Sequence, residues 1–233
     1  MEKLPPAKGI NQTNKAKSNF VLIVLFALPL IAYLFFLNGE HKFKTLPVVK
    51  ESIGSIENFK RLEDNATLQL KDSLTIITFL GKNPYQRIGY ISNINEKVYR
   101  KFHEFENFQM ISIIDTSGTG DMKDVYYQLK TNTDLTDWHF LTGNDQSIQD
   151  FFNSLGTDLE LNSDLSSDYA FMVDKKARLR GRPGNDEEDE VIGYDTSSLA
   201  AINKTMVDDI RVFMAEYRMA FKKNRSEKIK KDE

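Results

Sequence analysis

The sequence predicts an α/β domain, a central mixed sheet flanked by helices, preceded by one N-terminal transmembrane helix. Three observations carry this. An uncharged apolar run fills Phe20 to Leu37. Beyond it, short β-branched runs that stop at glycine or proline alternate with stretches whose apolar residues recur at three- and four-residue steps. Near the C-terminus two strand patterns adjoin across a four-residue turn, which implies an antiparallel pair within the sheet.

The run FVLIVLFALPLIAYLFFL forms a helix of about 27 Å, enough to cross a bilayer core. Pro29 would kink such a helix in lipid without breaking it. Tyr33, Phe35 and Phe36 stand near the far end, where an aromatic belt belongs. The run is long for a signal peptide, and Asn38-Gly39-Glu40-His41 offers no small-x-small cleavage site. Lys3, Lys8, Lys15 and Lys17 precede the span against Glu2, whereas Glu40 offsets Lys42 and Lys44 beyond it. The positive-inside rule therefore keeps the N-terminus in the cytoplasm. In a bacterium, the rest of the chain then lies in the periplasm, anchored in the inner (cytoplasmic) membrane. The expected organisation is a flexible cytoplasmic tail over 1–19, the anchor over 20–37, an extended tether over 38–50, one domain over 51–223 and a basic tail over 224–233.

Within the domain, Leu74 to Leu80 is a buried strand ended by Gly81 and Pro84. Ile91, Ile94, Val98, Phe102 and Phe105 mark a helix over about 88–105. Met110 to Ile114 is a second strand, and Met122, Val125, Tyr126 and Leu129 share one face of a helix over 122–130. Trp138 to Thr142 is a third strand. Asn144 or Asp145 can cap a helix over 146–155 that stops at Gly156. Tyr169 to Val173 is a fourth strand, Asp174 to Ala177 turns, and Arg178 to Gly181 returns. Leu199, Ile202, Met206, Ile210, Phe213, Tyr217 and Phe221 place a last helix over about 196–223.

Composition narrows the chemistry. The chain is 40% apolar and 28% charged, ordinary globular proportions, and its net charge of −3 argues against a nucleic-acid binder. It has no cysteine. That excludes disulfides, thiolate metal sites, Fe–S clusters, cysteine nucleophiles and dithiol redox chemistry. What remains is His, carboxylate or hydroxyl chemistry, or none, and the expectation is a protein that is not an enzyme.

The element order resembles a thioredoxin fold, and several stretches resemble the SCO/SenC family of membrane-anchored proteins of cytochrome oxidase copper-site assembly. Trp138-His139-Phe140-Leu141-Thr142-Gly143 resembles that family's W-x-F-L-T-G strand. Phe171-Met172-Val173-Asp174-Lys175 with Leu179-Arg180-Gly181 resembles its hairpin, and Ser112-Ile113-Ile114-Asp115 its S-V-D strand end. The likeness spans about 44–221 and implies the family's thioredoxin-like fold. Its copper and redox site, however, is C-P-x-x-C plus a distant His. The matching loop here reads Asn83-Pro84-Tyr85-Gln86-Arg87, with Asn83 and Arg87 at the thiol positions. The His position falls at Ser166 or Ser167. An amide and a guanidinium cannot replace soft thiolate ligands for Cu(I). The resemblance thus implies a degenerate member, without copper or thiol activity and without a cofactor.

Other candidates read blandly. His41, His103 and His139 show no metal-ligand spacing, and no nucleophile elbow is present. Ser117-Gly118-Thr119-Gly120 lacks the P-loop Gly-Lys-Ser/Thr and reads as a plain loop. Asn185 to Glu190 reads as a solvated acidic loop that pairs with Arg178, Arg180 and Arg182. The basic tail reads as a helix end that complements the dipole. Asn83, Pro84, Tyr85, Gln86, Arg87, Ser166 and Ser167 are therefore the candidate partner contacts, with Tyr85 either an interface anchor or packing for its own loop. The functional expectation is a binding, assembly or accessory subunit of an envelope or respiratory membrane complex, such as a respiratory oxidase, with protein partners and no nucleic acid. The alternative is an active SCO-like copper chaperone or thiol oxidoreductase.

Overall fold

The computed structural model describes residues 15–37, 45–182 and 190–229, with side chains for 17–37, 45–182 and 190–219. The chain divides into two units, 1–43 and 44–233. Of the first, the described part is a single helix, α1 (Lys15–Leu37), whose apolar window Lys17–Phe35 is long enough to cross a membrane. The helix begins ahead of the apolar run, taking in Lys15 and Lys17 from the stretch expected to be flexible.

The second unit is built on a mixed sheet. Its centre is β3 (Leu74–Gly81), β4 (Phe108–Asp115) and β5 (Trp138–Gly143), all parallel, with β6 (Ser166–Val173) antiparallel to β3. β7 (Leu179–Arg180) returns beside β6, and β1 (Val48–Lys50) closes that edge against β7. β2 (Lys60–Arg61) closes the other edge against β5, and β8 (Tyr194–Asp195) pairs with the first half of β6. β3 and β4 are buried along their whole length because both have strands on either side and layers on either face. Alternation does the rest. Leu74, Ile76 and Leu80 point into one layer while Ile77 and Phe79 point into the other.

The first layer holds α2 (Ile88–Ile94), continued through a π turn at Asn95–Tyr99 into α3 (Arg100–Phe102), and α4 (Thr119–Lys130). Also in it are α6 (Leu199–Ala201), a second π turn at Ile202–Met206, and α7 (Val207–Ile229). The second layer is α5 (Asp145–Ser154) with Ile53, Ile56, Phe59 and Leu70 from the segment before β3. Edge-to-face rings knit it, with Phe79 5.1 Å from Phe152 and Phe59 5.8 Å from Phe151. Asn144 caps α5 by accepting from the Ser147 N–H at 2.8 Å, and Gly156, at φ +65°, ends that run of chain.

Several expectations change. The stretch expected to be a tether contributes β1, and Leu46 is 3% exposed, because the chain is already packing against α7 there. Thr116–Gly118 is a 3-10 turn and Thr119 opens α4, so the serine–glycine segment is a helix entry and not a plain loop. Ser166 and Ser167 lie inside β6. The last helix starts later, at Leu199, and continues to Ile229, into the expected tail. The first helical stretch ends earlier, at Phe102, with His103 its cap. His41, residues 185–189 of the acidic run and residues 230–233 lie outside the described residues. The expected pairing of that run with arginines therefore falls outside the described residues, among which Arg178 and Arg180 pair with Asp174, Arg180 also with Glu216, and Arg182 with Asp209.

Candidate functional site

The parallel strands β3, β4 and β5 end together, and the antiparallel β6 begins beside them. Their connections therefore converge at one end of the sheet. Gly81 makes the first turn possible. Its φ is +64°, and a Cβ there would strike the Asp164 carbonyl oxygen. Lys82 N–H then donates to that same carbonyl at 2.8 Å, tying the end of β3 to the segment before β6. Pro84 opens a 3-10 turn, Pro84–Arg87, a position where its missing N–H costs nothing. Pro84 is buried, and Gly118 fits against its ring and the Lys82 carbonyl with no room for a side chain.

Arg87 is the centre of the arrangement. Its guanidinium donates through Nη1 to Asp168 and through Nη2 to Ser166 Oγ, and lies 5.1 Å over the Tyr90 ring. Ser166 Oγ donates in turn to Asp164 Oδ1 at 2.5 Å, and Asn162 Nδ2 donates to Ser166 Oγ at 3.2 Å. The loop position and the strand position picked out in the sequence are thus brought together, bridged by a planar fork that a lysine could not reproduce. Ser167, buried on the other face of β6, accepts from the Tyr169 N–H at 3.1 Å. Asn83 precedes the turn without capping it by its side chain. Tyr85 is 56% exposed, so it does not pack its own loop, and Gln86 is exposed beside it.

Asp168 was within reach of sequence reasoning. It stands two residues after Ser166, hence on the same face of the strand, with a charge opposite to Arg87. Beneath the site, Thr78 and Ser112 hydroxyls meet at 2.8 Å and Trp138 Nε1 donates to Ser112 Oγ at 2.9 Å. This polar thread ties the middles of β3 and β4 to the first residue of β5 within an apolar layer. Lys82 forms a 2.6 Å ion pair with Asp145. That hydrogen bond raises the Lys82 pKa and lowers that of Asp145.

The two described histidines, His103 and His139, stay apart from this end. His103 stacks on Tyr99 at 5.2 Å, and His139 is half-buried on β5 with its pKa lowered by burial and by Arg61. Among the described residues no group of three His, Asp or Glu is placed to hold a metal ion.

Three parallel strands, an antiparallel fourth and a proline-led turn at the end of the first parallel strand define a thioredoxin-like domain. The solved structures that share this fold include Sco proteins. BsSco, a member of the Sco family of cytochrome c oxidase assembly proteins, matches over 74% of this chain and 96% of its own, with a TM-score of 0.52 and 14% identity. The soluble domain of Bacillus subtilis Sco1 covers 77% and 98% at 13% identity and a TM-score of 0.43. Yeast Sco1 with copper bound covers 69% and 90% at 14% and 0.39. The likeness to BsSco establishes the fold. No protein-family model matches the chain, and no curated protein matches it in sequence.

Proposed function

We propose that the protein is a degenerate SCO/SenC relative that works by binding: a membrane-anchored, outward-facing accessory or assembly subunit of an envelope or respiratory membrane complex. In this reading α1 is a single-pass anchor in the bacterial inner membrane, with its N-terminus cytoplasmic and the domain in the periplasm. It carries no cofactor and no enzyme activity. The observation that carries the reading is Arg87. It stands where the resemblance puts a thiol, and a cation tied to Asp168 and Ser166 occupies the place of a ligand set. The chain has no cysteine to supply a thiolate, which counts against the copper-chaperone or oxidoreductase alternative.

Affinity isolation of the full chain from gently solubilised membranes, with mass spectrometry of what co-purifies, tests the reading. A complex of defined composition is expected, together with no Cu(I) retained against a chelator. Recovery of free monomer alone, or of stoichiometric copper, overturns it.

A further inference from the structure

Helix α7 (Val207–Ile229) is longer than the core it covers. Phe213, Met214 and Tyr217 pack on the first layer. By Tyr217 the helix has reached the end of the sheet: its hydroxyl accepts from the Lys175 N–H at 3.3 Å, in the turn that follows β6. The Arg218 guanidinium lies 5.4 Å from the Phe105 ring, just ahead of β4. Eleven helical residues follow Arg218, carrying the chain about 16 Å further. From Arg218 to Lys231 the sequence holds seven Lys or Arg and one acid, Glu227. A helix C-terminus is stabilised by cations in its last turn alone. That accounts for Lys228, and not for Arg218, Lys222 or Lys223.

This overhang leaves the domain beside the point where the chain enters it. Arg180 Nη2 donates both to the Leu46 carbonyl and to Glu216 Oε2, two residues ahead of Arg218. Leu46 follows the end of α1 at Leu37 by nine residues, which span at most about 32 Å in any conformation. The surface that holds α1 is therefore leashed close to a cation-rich helix end. A leaflet bearing negative headgroups attracts such a segment charge by charge, over about a Debye length.

We propose that the C-terminal overhang of α7 docks on anionic phospholipid headgroups of the bilayer that holds α1, through the charges of Lys222, Lys223, Arg225 and Lys228. The proposal rests on the reading of α1 as a membrane anchor and gives the domain a second contact with the same bilayer.

The absence of cysteine lets a single Ser226→Cys carry an environment-sensitive fluorophore on the full chain. The chain is reconstituted in vesicles of phosphatidylcholine alone, or of phosphatidylcholine and phosphatidylglycerol in equal parts. The label should report an interfacial environment only in the second and lose it with added salt. With Lys222, Lys223, Arg225 and Lys228 all changed to Gln, which keeps helix propensity, the docked-to-free ratio should fall about tenfold or more. The same label on Gln86→Cys, at the opposite end of the sheet, should read alike in both lipids. Equal emission from residue 226 in the two lipids, as an acidic protein partner for these cations would leave it, overturns the docking while the anchor stands. A response that survives the fourfold variant, or one as strong from residue 86, does the same. A chain stripped from both vesicles by alkaline extraction overturns the anchor, and the docking with it.

Discussion

Arg87 exchanges solvent for two fixed partners, and its worth depends on how much water those partners keep. Its side chain is 15% exposed while that of Asp168 is 43% exposed, so the ion pair is partly screened. Arg87→Ala should therefore cost only about 1 to 2 kcal/mol, measured by urea denaturation. Arg87→Lys should recover less than half of that, because one ammonium cannot span both Asp168 and Ser166. Equal stability of the lysine variant and the native protein would show the fork to be idle. The identity of the substituted positions was legible in the sequence, since Pro84 marks the turn and Asn83 and Arg87 flank it. That Arg87 would turn back to β6 was not, because the pairing joins segments remote in sequence that only the antiparallel placement of β6 brings together.

Strands of the central sheet were legible because they are short apolar, β-branched or aromatic runs, with β3 and β5 closed by Gly81 and Gly143, though β6 begins at Ser166, three residues before the apolar run that marked it. β1, β2 and β8 escaped because strands of two or three residues carry no period; register with a neighbour creates them. The turn between β3 and the Pro84–Arg87 segment depends on one backbone conformation. Gly81→Ala meets both a left-handed φ and the Asp164 carbonyl, and should destabilise by about 2 kcal/mol or more, with loss of the Lys82 amide's protection from hydrogen exchange. Asn144→Ala removes the cap of α5 and should cost about 1 kcal/mol by the same denaturation assay, without touching the turn.

For the whole molecule, acid is the informative variable. Asp174 is fully buried at the β6–β7 turn. Burial by itself would raise its pKa, but the Arg178 side chain and the Arg178 and Lys176 N–H groups outweigh it and hold it below 3.8. A depressed folded-state pKa means the stabilisation is complete above the unfolded value and is lost as pH falls through the folded one. The urea midpoint should thus hold steady down to about pH 4 and drop below it. Asp174→Asn should be less stable by about 3 kcal/mol near neutrality and show a shallower acid limb, since Arg178 and Arg180 lose their shared counter-charge. The same cluster reaches further. Arg180 Nε donates to the Leu46 carbonyl at 2.8 Å, and the Gly181 N–H donates to Pro47 at 3.1 Å, just ahead of the β1–β7 pair. A mechanical load drawn along β1 from its N-terminal side would cross these bonds in shear, all at once, before any part of the sheet could peel. Arg180 is then a clasp against tension: in single-molecule pulling, Arg180→Met should lower the peak force of the first rupture and leave later ones unchanged.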